Sequence, residues 1–104
     1  MLLVNTDYIT GKELETLGIV KGSIVQTKNF GKDFMAGIKT LVGGEVKEYT
    51  DMLNQARQIA VKRMVDEAQA LGADAVVNVR YASSSVMQGA AEVIAYGTAV
   101  KYMN

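Results

Sequence analysis

Apolar residues fall at helical spacing through the middle of the chain and at strand-like spacing on either side of it. Tyr49, Leu53, Ala56, Ala60, Met64, Ala68 and Leu71 follow one another at steps of three or four, tracing one apolar helix stripe. Met52, Ile59, Val61 and Val65 widen that stripe, while Lys47, Asp51, Asn54, Gln58, Lys62, Asp66 and Gln69 lie away from it. The pattern predicts a helix from about Val46 to Leu71. Gly72 ends it, because glycine adopts the left-handed conformation of a helix C-terminal cap without steric cost. Just upstream, Phe34, Ile38, Leu41 and Val42 predict a second, shorter helix that runs as far as Gly43-Gly44, with Asp33 as a first-turn or cap residue.

The flanks read as strands. Leu2-Leu3-Val4 is a short buried strand. Between Lys12 and Lys28, Leu17-Gly18-Ile19-Val20 and Ser23-Ile24-Val25-Gln26-Thr27 form either one long bent strand or two strands turning at Lys21-Gly22. Glycines inside such a segment favour bends and bulges over a flat ladder. Asp74 to Tyr81 is the next strand, with Val77, Val79 and Tyr81 on one face and Val76, Asn78 and Arg80 on the other. Ser83 to Gly89 reads as a loop or hairpin tip. Glu92 to Tyr102 is the last strand, carrying Ile94, Tyr96, Val100 and Tyr102 on one side and, on the other, a smooth Ala95, Gly97, Ala99 strip that another backbone or helix could approach closely, expected at or beside a subunit contact. The expected fold is α+β, a mostly antiparallel sheet with one short and one long helix in the order ββααββ.

With 104 residues and no linker, repeat or proline, residues 1–104 read as a single domain with one core. The hydrophobic fraction of 49% is high for so short a chain, and burying it against further copies of the chain is the first use that composition suggests. Lys+Arg and Asp+Glu are both 11, so there is no general electrostatic footprint for nucleic acid or for an anionic membrane. No apolar run approaches the roughly 18 residues of a membrane span, and the start lacks the pattern of a signal peptide. A cytoplasmic location is the expectation. The absence of His and Cys removes Ser-His-Asp and Cys-His mechanisms, disulfides and zinc-thiolate sites, and no cofactor is called for.

Several segments together resemble the YbjQ-like family of small bacterial and archaeal proteins. They are Val42-Gly43-Gly44-Glu45, the helix from Tyr49 through Met52-Leu53 and Ala56-Arg57 to Leu71-Gly72-Ala73, Asp74-Ala75-Val76-Val77, and Ala95-Tyr96-Gly97-Thr98-Ala99-Val100. The resemblance covers nearly the whole chain. It implies an α+β subunit assembled into a ring, a pentamer, and it carries a heavy-metal-binding label with no settled activity. Against that label, the chain offers soft ions only Met sulfur, and the positions of Met52 and Met64 read as core. Glu13 with Glu15, and Glu45 with Glu48, are the nearest approach to an acid cluster. No metal ligand is assigned.

Candidate ligand contacts are Asn78, Arg80, Glu92 and Tyr96. Arg80 can fork two donors onto an anionic group, Asn78 adds a polar neighbour, and Glu92 is a possible ion-pair partner of Arg80. Tyr81, Tyr96 and Tyr102 suit either a ligand pocket or an interface. No nucleophile–base pair accompanies Ser83, Ser84 and Ser85, so no catalytic residue is named. Gly43-Gly44-Glu45 lacks the Gly-Lys-Ser/Thr ending of a phosphate loop. The reading is a homo-oligomer, with itself as partner, holding a small molecule or ion at the ring or its subunit clefts. The alternative is a structural module that recruits another protein. An enzyme working with Tyr, Lys, Arg and carboxylates is the third class.

Overall fold

The computed structural model describes residues 1–27 and 47–104. They form β1 (Leu2–Leu3), β2 (Leu14–Thr27), α1 (Lys47–Ala70), β3 (Ala75–Met87) and β4 (Ala90–Tyr102). The short helix expected over Phe34–Val42, its Asp33 cap and the Gly43-Gly44 turn lie outside the described residues. The sheet is mixed, in the order β1-β3-β4-β2. β1 runs parallel to β3, and the β3–β4 and β4–β2 pairs are antiparallel.

The helix follows its sequence pattern except at Leu71, the last member of the stripe, which lies past the helix end and is exposed. Met52, Ala56, Ala60, Met64 and Ala68 are buried, and Lys47, Asp51, Asn54, Gln58, Lys62, Asp66 and Gln69 face solvent. Gly72 closes the helix with φ of 79°, and its N–H donates to the Gln69 carbonyl at 3.0 Å. Alanine at three of the buried positions lets the helix axis approach the sheet closely. Gly22 of β2 completes that approach: a methyl group there would run into Ala60 O, Met64 N and Arg63 Cβ, the backbone and base of the helix itself. No turn forms at Lys21-Gly22. β2 is one strand of 14 residues, bent by a bulge at Leu17–Gly18, where Gly18 takes φ of 143°.

Three readings of the second half of the sheet are corrected. β3 does not end at Tyr81 but continues to Met87, so Ser83, Ser84 and Ser85 are paired with Val93, Glu92 and Ala91. The turn is confined to Gln88-Gly89, with Gly89 at φ of 78°. The face assignment along β3 also changes, because Asn78 sits in a bulge at φ of 55° and adds one residue to the alternation. Val76, Val79 and Tyr81 therefore share the helix side, and Val77 and Arg80 share the other. Finally, the Ala95, Gly97, Ala99 strip expected near a subunit contact is buried inside the chain. Ala95 and Ala99 pack in one cluster with Val20, Val76, Val93 and the helix alanines. Gly97 is held against the bulge, where a methyl carbon would lie 2.7 Å from Val76 Cγ1 and 2.8 Å from Val77 O.

The second face is covered at one end only. There Ala75, Val77 and Val100 pack with Val4, Ile9, Leu14 and Tyr102. Beyond that end no described residue covers the sheet, and Ile19 is 79% exposed, Val25 54% and Tyr96 40%.

Candidate functional site

Register decides which candidate residues meet. Tyr96 on β4 lies directly opposite Arg80 on β3 and Lys21 on β2, so a phenol is flanked by two cations across the uncovered face. Glu92 shares that face but is opposite Ser84 and Val25, two rows further toward the hairpin tip. The row between them holds Ala82, Ile94 and Ser23. Arg80 and Glu92 make no ion pair; among the described residues the ion pair is Lys62–Asp66 at 2.9 Å on the helix surface. Strand alternation in the sequence sets Arg80 beside Val76 and Asn78; the bulge moves it to the face of Val77, where the register places it opposite Tyr96.

Asn78 works chiefly through its backbone. Its positive φ, tolerated by Asn better than by most side chains, turns its N–H outward to donate to the Thr6 carbonyl at 2.9 Å. Val79 N–H likewise donates to Val4 O at 3.0 Å. These bonds tie the segment after β1 to the bulge. Arg80 extends alongside, with its Nη1 at 3.4 Å from the Asn5 carbonyl, a long contact that leaves most of the guanidinium free.

Where the segment after β1 turns away from β3, it leaves a cleft of about 680 Å³ lined by Leu3, Val4, Asn5, Thr6, Val79, Arg80 and Tyr81. Apolar walls with one cation suit a small molecule that has an anionic end. Asn5 and Thr6 were not among the sequence candidates. Their part depends on a parallel pairing between residues more than 70 positions apart, and nothing local in Leu2-Leu3-Val4 announces it.

The donor set does not fit a soft-metal site. The chain has no His and no Cys, and Met52 and Met64 are sealed in the core beneath the sheet and helix. Among the described residues no three carboxylates gather as a harder ion would require. No helix among them is long and apolar enough to cross a membrane.

Comparison with known proteins places this architecture. The family model YbjQ_1, described as "Putative heavy-metal-binding", matches residues 1–103. A UPF0145 protein of Clostridium novyi is 67% identical over 103 residues, covering 99% of this chain and all of that protein. A UPF0145 protein of Methanosarcina acetivorans is 56% identical over 105 residues, covering 100% and 99%. The crystal structure of a protein of unknown function of the DUF74 family from Pediococcus pentosaceus shares the fold, with a TM-score of 0.63, 14% identity and coverage of 98% and 97%. Matched from end to end by the family model and by relatives of such high identity, this chain belongs to the YbjQ family.

Proposed function

We propose that the chain is a single-domain, homo-oligomeric binding protein of the cytoplasm. Its copies close into a cyclic assembly, five by the family resemblance, and a small ligand or ion sits at the clefts of the subunits. The observation that carries this reading is the one-sided sheet. A helix covers one face, while Ile19, Val25 and Tyr96 stand exposed on the other. Apolar side chains arrayed across neighbouring strands are an uncommon surface for a chain that stays alone, and a second copy would remove them from water.

The binding part of the reading rests on Arg80, whose guanidinium borders both the cleft and the row with Tyr96, and has no carboxylate partner among the described residues. Asn78 positions the cleft, and Glu92 lies further along the same face. A ligand with an anionic group and a small apolar body matches this arrangement better than a soft metal ion does.

Light scattering on the untagged protein at micromolar concentration tests the assembly: a well-folded species of one 11.2 kDa subunit would overturn it. Native mass spectrometry of protein taken gently from lysate tests the ligand, as a mass excess that Arg80→Gln abolishes.

A further inference from the structure

On the uncovered face one row of side chains gathers charge around a ring. Lys21, Tyr96 and Arg80 stand side by side across β2, β4 and β3, and all three are exposed. Paired strands lie about 4.8 Å apart, so the two cations flank the phenol from backbone positions roughly 10 Å from each other. Lysine and arginine are both long enough to converge above Tyr96 on a single group.

Neither cation is engaged within the described residues. The ion pair among them is Lys62–Asp66, and the cation resting on a ring is Lys12, 4.9 Å from the centre of Tyr102. Glu67, whose carboxylate accepts from the Lys21 N–H, belongs to the helix on the opposite side of the sheet. Arg80 has only its long contact to the Asn5 carbonyl, which supplies no counter-charge. The acid that the strands contribute to this face is Glu92, two rows from Tyr96 along β4. At the usual strand rise that is roughly 13 Å.

The row between them is an apolar floor. Ile94 follows Tyr96 on this face, and its neighbours across the strands, Ala82 and Ser23, are both small. A flat body can lie over Ile94 without striking a long side chain on either hand, and meet the Tyr96 ring at its face or edge. Two positive charges stand at one end of this strip and one negative charge at the other. An anionic group is drawn to the Tyr96 end and repelled from the Glu92 end, which sets the direction in which a bound molecule lies.

We propose that this row binds a compact aromatic anion, its ring over Ile94 and Tyr96 and its carboxylate or phosphate between Lys21 and Arg80. The proposal rests on the binding reading above and adds to it a second cation and an aromatic body. Ile19 and Val25 of β2 lie in other rows and are left to a covering copy. The acid at the far end disfavours an extended polyanion, so the ligand is a small molecule with its charge at one end.

Titration of the intact, untagged protein with benzoate and with phenyl phosphate, read by NMR, tests this. Ring currents should shift the Ile94 methyl and Tyr96 ring signals, and the tighter of the two compounds identifies the anionic group. Cyclohexanecarboxylate has the charge and size of benzoate without its ring, and should bind about tenfold more weakly. Tyr96→Leu should remove that preference and Tyr96→Phe should keep it. Lys21→Gln and Arg80→Gln should each weaken the aromatic anions about tenfold or more. Circular dichroism and solution mass confirm the fold and assembly of each variant, and the wild-type Ile94 shift needs no variant at all. An Ile94 signal unmoved by either aromatic anion at millimolar concentration overturns the proposal, as does equal affinity for benzoate and cyclohexanecarboxylate. Binding lost in Arg80→Gln but intact in Lys21→Gln and Tyr96→Leu puts the anion in the cleft, which overturns this proposal and leaves the earlier reading standing. The full pattern in a chain that is monomeric upholds the site and overturns assembly alone.

Discussion

Gly22→Ala isolates the closest contact in the fold. The added carbon meets Ala60 O, Met64 N and Arg63 Cβ, two of them backbone atoms of a helix that cannot rotate away as a side chain could. Restoring ordinary contact distances requires helix and strand to separate by roughly 1 Å at this point. That gap loosens the packing of Ala56, Ala60 and Met64 against Val20 and Ala95, the centre of the main cluster. Overpacking of a rigid site costs about 1–3 kcal/mol, and rigid backbone on the helix side places this substitution at the top of that range, about 3 kcal/mol. For a chain of this size each kcal/mol lowers the melting temperature by about 4–5 °C, so the midpoint should fall by about 12–15 °C. Gly11→Ala is the control, since a methyl there meets nothing within 4 Å and bears only the strain of φ at 76°. Thermal unfolding followed by circular dichroism, at equal protein concentration, measures both. A Gly22→Ala midpoint within 3 °C of wild type would refute the claim that backbone proximity sets the helix position.

Ala60→Asp should destabilise by several kcal/mol, because it buries an unpaired charge at a fully enclosed position, whereas Gln58→Ala on the exposed side should change stability by less than about 0.5 kcal/mol; urea unfolding compares them. Asn78→Val should cost about 1–2 kcal/mol in the same assay, since a β-branched residue disfavours φ of 55°, and Asn78→Gly should be nearly neutral. Calorimetric titration of the untagged protein with zinc, copper(I) or cadmium should show no stoichiometric submicromolar binding, and such binding would refute the donor-set argument.

The helix was legible because its signal is repeated: seven apolar positions and seven polar ones all agree on one face. The β3 faces were not, and the reason is a single residue. Alternation from Val76 to Tyr81 gives the wrong partition once Asn78 takes an extra place in the ladder, and one Asn among valines does not announce a bulge. Ser83-Ser84-Ser85 looked like a turn because serine favours local hydrogen bonds over ladders. Pairing with Val93 and Ala91 overrides that preference, and Gln88-Gly89 supplies the turn instead. The Ala95, Gly97, Ala99 strip was correctly read as a place of close approach. What approaches Ala95 and Ala99 is the chain's own helix, and at Gly97 it is the neighbouring strand. Alternation along β4 grouped Tyr96 correctly with Val100 and Tyr102, but the face of Arg80 depends on the Asn78 bulge and the cleft beside it on how β1 docks, which only the assembled sheet reveals.

The alanine-lined seam between helix and sheet has a consequence for how this protein can vary. Across most cores, greasiness is the quantity under constraint, and one aliphatic residue replaces another at modest cost. Here the seam is a spacer gauge: Ala56, Ala60, Ala68 and Gly22 set a distance, and side-chain volume is what would disturb it. A leucine at position 60 would fit the chemistry and force the layers apart, while a serine would offend the chemistry slightly and keep the spacing, with its hydroxyl able to return to a carbonyl of the preceding turn. Substitutions tolerated along this seam should therefore sort by size before they sort by polarity.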